Sequence, residues 1–195
     1  VIGITLKLYN NSNVSSSKSC CAGIDIADAK KVALNNDFKH IVLDYQDKFF
    51  DGVINNFVDS YANGETPLPC VKCNQTVKFS DLLNEAKKMG ADALATGHYA
   101  IRQGSLNNAS LHKAKDFSKD QSFFLFSTLQ EQLNYVRFPL GDYKKSEIRQ
   151  LAKEYNLSVS DKPDSQDICF VTSDSYRDLV NNLNPGVNKK GIIYD

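Results

Sequence analysis

The stretch VIGITLKLY (residues 1–9) mixes β-branched and leucine side chains in a short run. That is the pattern of a strand buried within a parallel sheet. Polar NNSNVSSSKS (10–19) reads as loop. DIADAKKVAL (25–34) then sets Ile26, Ala29 and Ala33 on one face of an amphipathic helix. HIVLDY (40–45) is a second short apolar strand, and Phe50, Ile54, Phe57, Val58 and Tyr61 follow at helical spacing. After the turn ANGETPLP, a long helix is predicted over about 70–89, closed by Gly90 in the position just past its end. ADALATGHY (91–99) is expected as a third strand running into a Gly-His turn. SFFLFSTL (122–129) and KKSEIRQLAKEYNL (144–157) read as helices, and ICFV (168–171) as a strand. Strands alternating with helices predict an α/β fold, a doubly wound, mostly parallel sheet with helices on both faces. Ligands of such sheets sit at the carboxyl ends of the strands.

The chain has 195 residues, 42% hydrophobic and 24% charged, the composition of an ordinary globular domain. Its 23 basic and 23 acidic residues cancel. A module that holds nucleic acid by bulk charge alone is therefore excluded, whereas a local basic face is not. HKAKDFSK (112–119) and YKKSEIRQLAK (143–153) are locally basic and read first as solvated surface. No apolar run reaches the ~18–20 residues of a membrane helix, so no membrane partner is expected, and no signal peptide is visible. The count of five cysteines is odd and their spacing is unlike a secreted disulfide framework. A reducing, cytoplasmic setting is expected. The opening lacks an initiator Met, the single methionine is Met89, and GIIYD stops where a strand would be under way. Both ends read as cut from a longer chain.

TPLPCVKCNQ (66–75) carries two of the cysteines. Pro69 suits the first helical position, where its missing N–H costs nothing. Cys70 and Cys73 then fall near the positive end of the helix dipole, which favours the thiolate. A Cys-x-x-Cys pair alone is a weak signal. Zinc would want four Cys or His ligands, and neighbouring Cys20 and Cys21 are poorly placed to complete such a set, so no metal site is expected. A thioredoxin-like redox pair, inert buried thiols and a reactive sulfur all stay open.

GETPLPCVKCNQTVKF, GADALATGHYA, SKDQSFFLF, FPLGDYKKSEIRQLAKEYNL and KPDSQDICF follow one another in order. Together with VIGITLKLYN and KSCCAGIDIADAKKVA they closely resemble the tRNA-specific 2-thiouridylases, over essentially the whole chain. The resemblance implies a Rossmann-like sheet of the adenine-nucleotide alpha-hydrolase type. It implies a catalytic domain over 1–172 and the beginning of a small central domain over 173–195. Cys73 lies where the family keeps its nucleophile, and Cys169 where it keeps the cysteine that carries a persulfide. Leu68, Pro69 and Cys70 match the segment that touches the target base. Gly97 and Leu6 match residues of the ATP site, and Lys119, Asp120 and Gln121 a segment contacting tRNA.

The activity so implied is ATP-dependent 2-thiolation of the wobble uridine. ATP and Mg²⁺ activate the C2 oxygen by adenylation, and a persulfide sulfur from a donor relay displaces AMP. Cys73 resolves the persulfide, leaving a Cys73–Cys169 disulfide for a reductant to reopen. The implied partners are tRNA and a sulfur-relay donor protein. Other readings stand beside these roles. His98 either faces phosphate or packs within the fold. Asp120 either orients RNA or caps the SFFLF helix. Lys119 either reaches a phosphate or is plain surface. Neither Asp164 nor Asp167 is assigned a catalytic role.

Two departures from the family qualify the expectation. The serine- and glycine-rich phosphate loop of the family would precede Val1, and its carboxyl-terminal β domain would follow Asp195. The 195 residues by themselves are therefore expected not to adenylate tRNA, and a noncatalytic remnant is the rival reading. Leu68 stands where an Asn is usual, which removes a hydrogen-bonding group beside the base.

Overall fold

In the computed structural model β1 (Ile2–Lys7) and β2 (Lys39–Asp44) run parallel, in register from Ile2 opposite Lys39 to Lys7 opposite Asp44. The structure describes residues 1–9, 23–164, 168–171 and 175–187. The 10–19 loop, Cys20, Cys21, Asp167 and GIIYD lie outside the described residues, as do 172–174, where the domain boundary was expected.

The described chain divides into two compact units, one of 1–69 with 164–195 and one of 70–163. In the first, α1 (Gly23–Asn35) connects the two parallel strands and buries Ala33. A helical run follows as Gln46–Phe49, Phe50–Ile54 and Asn55–Ala62, the middle stretch wound with the wider hydrogen bonding of a π-helix. Its buried face carries Phe49, Val53, Ile54, Phe57 and Val58. ICFV does not form the expected strand. It is a turn closed by the Val171 N–H on the Ile168 carbonyl at 3.0 Å. Side-chain packing, not strand pairing, holds it, because Phe170 is buried edge-on against Phe49 (5.6 Å between ring centres) and Phe57 (5.3 Å). Tyr61 stacks on Tyr176 of the helix Tyr176–Leu183 at 4.8 Å.

The second unit opens with another long helical run, Pro69–Cys73, Asn74–Leu82 and Leu83–Lys88, again with a π-type middle. Gly90 closes it at φ +75°, as its place after the last helical residue predicts. The Gly90 N–H reaches the Lys87 carbonyl and the Ala91 N–H the Ala86 carbonyl, the paired bonds of a Schellman ending. The same two-bond ending closes the helices before Asp37, Gly64 and Asn156.

In the same unit β3 (Leu94–Ala95) runs parallel to β6 (Val136–Arg137), and β4 (Ala100–Gln103) pairs antiparallel with β5 (Ser110–Lys113). The α/β class with parallel pairing therefore holds. The antiparallel hairpin was not anticipated, and the third strand is two residues long. SFFLFSTL departs further from expectation. Only Ser122–Leu125 is helical, as a 3₁₀ turn, before a separate helix at Gln130–Tyr135. Leu125 is buried while Phe123 and Phe126 stay exposed, so one tight turn satisfies the single apolar anchor. The helix Lys145–Glu154 forms as expected, with Glu147 accepting the Lys144 N–H at its start. Among the described residues, no helix is long and apolar enough to cross a membrane.

Candidate active site

Pro69 is the first residue of its helix, as its missing N–H favours, and it is buried. Leu68 before it is 45% exposed, so an apolar side chain stands where water would be served better by an amide. Cys70 is exposed and Cys73 buried, with 8% of its surface accessible. The two thiols of the motif thus differ in access by position on one turn. The thiol that the family resemblance assigns as nucleophile is the covered one. Asn74, next to Cys73, is 3% exposed and its Nδ2 donates to the Phe124 carbonyl at 3.0 Å. The wide-wound stretch starts at this residue, a helix irregularity often found near functional positions.

Phe124 belongs to the segment that continues Lys119, Asp120 and Gln121. The Asp120 carboxylate accepts the Ala114 N–H at 2.8 Å and the Ser122 hydroxyl at 2.7 Å. It ties loop to turn, and the position just before the 3₁₀ turn falls to Gln121. Gln121 exchanges two bonds with Tyr99: its N–H donates to the Tyr99 carbonyl at 2.8 Å, and its Oε1 accepts the Tyr99 N–H at 2.9 Å. The Lys119 N–H donates to the Asp116 carbonyl at 3.0 Å. Side-chain oxygens of Asp120 and Gln121 are thereby engaged within the protein.

The strand end Thr96-Gly97-His98-Tyr99 is thus bonded to the 119–125 segment. Gly97 is exposed, and a Cβ there would meet only Leu140 Cδ1, at an ordinary 3.8 Å. Internal packing does not require glycine at this position, and its open backbone suits close approach by a ligand such as a nucleotide. His98 Nδ1 lies 2.9 Å from the Thr96 hydroxyl, with its ring edge-on to Phe79 and Phe138. Burial, aided by the nearby Lys78 charge, pushes its pKa down to about 3. His98 is therefore a neutral imidazole near neutral pH and brings no positive charge to a phosphate.

The basic stretches 112–119 and 143–153 are laced with acids. Lys115 pairs with Glu147 at 3.2 Å. The Lys145 N–H and then the Ser118 hydroxyl hold the Asp116 carboxyl below its usual range. For Glu147 the Lys144 N–H and then Lys115 do the same. These pairs match the surface reading of those stretches.

Cys73, Gly97 and Lys119 to Gln121 share the 70–163 unit, and hydrogen bonds connect their segments. Leu6, buried in β1, and Cys169, half-buried beside the Phe170 anchor, belong to the other unit, which ends its first stretch at Leu68 and Pro69. Asn74 was missed by sequence reasoning. Its signal was a polar residue in a helical face otherwise filled by Val71, Val77 and Phe79.

The family profile described as "tRNA methyl transferase HUP domain" matches residues 1–173. The tRNA-specific 2-thiouridylase MnmA of Rickettsia prowazekii (strain Madrid E) is 54% identical over 99% of this chain and 54% of its own length. The proteins of that name from Orientia tsutsugamushi (strain Boryong) and Anaplasma marginale (strain St. Maries) are 56% and 54% identical. Each alignment covers 99% of this chain, and 53% and 50% of those two relatives respectively. The chain spans about half the length of the curated relatives it matches. With a thiol-bearing helix, an open glycine at a strand end and a profile match across nearly its full length, this MnmA-like chain belongs to the tRNA methyl transferase HUP domain family.

Proposed function

We propose that this chain forms the catalytic core of an enzyme that thiolates C2 of the wobble uridine in tRNA, with Cys73 and Cys169 as the reacting pair. The observation that carries this reading is Cys73 itself, a buried thiol at the fifth residue of a proline-started helical run, tied through its neighbour's hydrogen bond to the 119–125 segment. The family description speaks of methyl transfer and the relatives' names of thiolation. Paired Cys70 and Cys73 favour sulfur chemistry.

The C2 oxygen of uracil is a poor leaving group, so ATP as co-substrate converts it to an AMP ester and releases pyrophosphate. The terminal sulfur of a Cys169 persulfide attacks C2, and the C2 oxygen departs with AMP. The Cys73 thiolate then attacks Cys169 Sγ and breaks the bond to the transferred sulfur, which stays on C2 as the thiocarbonyl. A Cys73–Cys169 disulfide results, and a two-electron reductant reopens it. Gly97 and Leu6 are the positions assigned to ATP, and the open backbone at Gly97 supports that assignment. Mg²⁺ would enter with the nucleotide phosphates.

Lys119, Asp120 and Gln121, with Leu68, Pro69 and Cys70, are assigned to tRNA. Exposed Phe123 and Phe126 beside the first set offer ring faces for base stacking. A sulfur-relay protein is the proposed donor, and the cytoplasm the proposed setting. The test is the full-length protein with Cys73→Ser or Cys169→Ser, assayed for 2-thiouridine in tRNA by mass spectrometry. Loss of the modified base in both variants is expected. Full thiolation by either variant would sink the assignment of the reacting pair, and a full-length parent without any thiolation would leave the noncatalytic remnant as the better reading.

A further inference from the structure

We infer that Asn74 is a positioning residue, one whose side-chain amide holds the Cys73 turn against the 119–125 segment. The inference rests on the reading of Cys73 as the reacting thiol. Asn74 and Gln132 are the two buried polar or charged residues among those described. They serve different ends. Gln132 closes its own helix start, its Oε1 accepting the Leu129 N–H at 2.9 Å. Asn74 instead reaches a residue 50 positions away, its Nδ2 donating to the Phe124 carbonyl at 3.0 Å.

The bond leaves a second polar atom stranded. Asn74 Oδ1 is buried with no hydrogen-bond partner. An unsatisfied buried amide oxygen is unfavourable, and an apolar side chain of the same size would avoid it. Apolar neighbours Val71, Val77 and Phe79 fill the same buried face, so an amide is not what packing alone would select here. The facing group is a carbonyl, which accepts only. That fixes the amide with Nδ2 toward Phe124 and excludes the flipped orientation.

The bond also enters a connected set. The Phe124 N–H donates to the Gln121 carbonyl at 3.0 Å, and Gln121 makes its two bonds to Tyr99. All of these residues lie in the 70–163 unit. The turn that carries Cys73 is therefore held to that set through the residue adjacent to the thiol. Asn74→Leu removes the bond while keeping the number of side-chain heavy atoms. Asn74→Asp, of the same size, sets two acceptors face to face.

The experiment follows iodoacetamide alkylation of Cys73 across pH 6 to 9 in the whole chain, well below its melting temperature, resolved by peptide mass. Trypsin cuts after Lys72 and so separates Cys73 from Cys70. Cys169 in the other unit is the internal reference. Removing the bond in Asn74→Leu is expected to raise the Cys73 rate about fivefold, the factor that one net hydrogen bond is worth, with Cys169 unchanged. Asn74→Asp adds a carboxylate that disfavours the thiolate, so its rise is read at pH 9, where the carboxyl is ionised and the thiolate most populated. In the unsubstituted protein the Asn74 side-chain amide protons should exchange at least about tenfold more slowly than those of half-buried Asn55, whose long Nδ2 bond to Asp51 is open to solvent, which tests the bond without any variant.

The proposal is overturned if the Cys73 rate stays within about twofold of the parent in both variants. It is equally overturned if Cys73 and Cys169 speed up together, or if the Asn74 amide exchanges as fast as Asn55. None of these readouts involves tRNA. A protein that fails to thiolate would refute the proposed activity and leave the alkylation result standing.

Discussion

Gly141 lies so close to the backbone of Ala100 that a Cβ at 141 would stand 1.9 Å from the Ala100 carbonyl oxygen. The Gly141 carbonyl in turn accepts the Lys115 N–H at 2.9 Å. One glycine therefore joins the start of β4 to the loop that holds Asp116 and, through it, the 119–125 segment. Because the obstacle is backbone and not a movable side chain, Gly141→Ala forces the chain to shift. It should destabilise the protein by about 2 kcal/mol or more, measured by urea unfolding. An alanine variant with an unchanged midpoint would mean that the close approach is not maintained in solution.

Phe170 should matter for a different reason. It is buried between Phe49 and Phe57, and the turn it anchors carries Cys169. Phe170→Ala removes both edge-on contacts and should cost about 3–5 kcal/mol in unfolding free energy. Alkylation of Cys169 should also become faster than in the parent at temperatures where the variant is still folded. Unaltered Cys169 reactivity would show that the thiol is held by something other than its neighbour's ring.

His98 links stability to pH in a definite direction. Burial first, and the Lys78 charge second, hold its folded pKa near 3, against an ordinary value of 6.5. Above pH 6.5 both folded and unfolded forms are neutral and the group contributes no pH dependence. As pH falls from 6.5 towards 3 the unfolded chain takes up the proton and the folded one does not, so stability declines. Melting curves between pH 7 and 4 should show a shallower decline for His98→Gln than for the parent. Identical slopes would place the histidine in water.

Leu68 is the simplest position to repair. It exposes an apolar side chain immediately before Pro69, at the position where the family resemblance implies Asn. In the full-length protein Leu68→Asn should raise the thiolation rate or leave it unchanged, measured with saturating tRNA. A clear drop would show that leucine has acquired a use of its own beside the base.

Local chemistry was the part most readable in advance. Pro69 at a helix start and Gly90 just past a helix end each act through their own backbone, so their roles follow from residue type and position. β1 and β2 were also legible, since apolar runs of that length admit few alternatives. The β4–β5 hairpin was not, because adjacent Ala100 and Ile101 in β4 and Leu111 alone in β5 leave no period to detect. Gly104 and Asn107, both at positive φ in its loop, were the available clue. ICFV and SFFLFSTL misled for a shared reason. Aromatic residues mark burial or exposure through partners far along the chain, as Phe170 does with Phe49, and no local pattern reveals those partners. In the site, the cysteines were visible as a motif, but the covering of Cys73 and the reach of Asn74 to Phe124 are tertiary facts.

The matched endings at Asp37, Gly64, Gly90 and Asn156 bear on how sequences of this kind can vary in length. Each ending locks the residue two beyond the helix cap to a carbonyl three residues inside the helix end, so the count of residues is set there. A residue inserted within the last turn would carry the left-handed position off its glycine, aspartate or asparagine and onto a side chain that resists it. An inserted or deleted residue should therefore cost less in the loops that follow these helices than within their last turns.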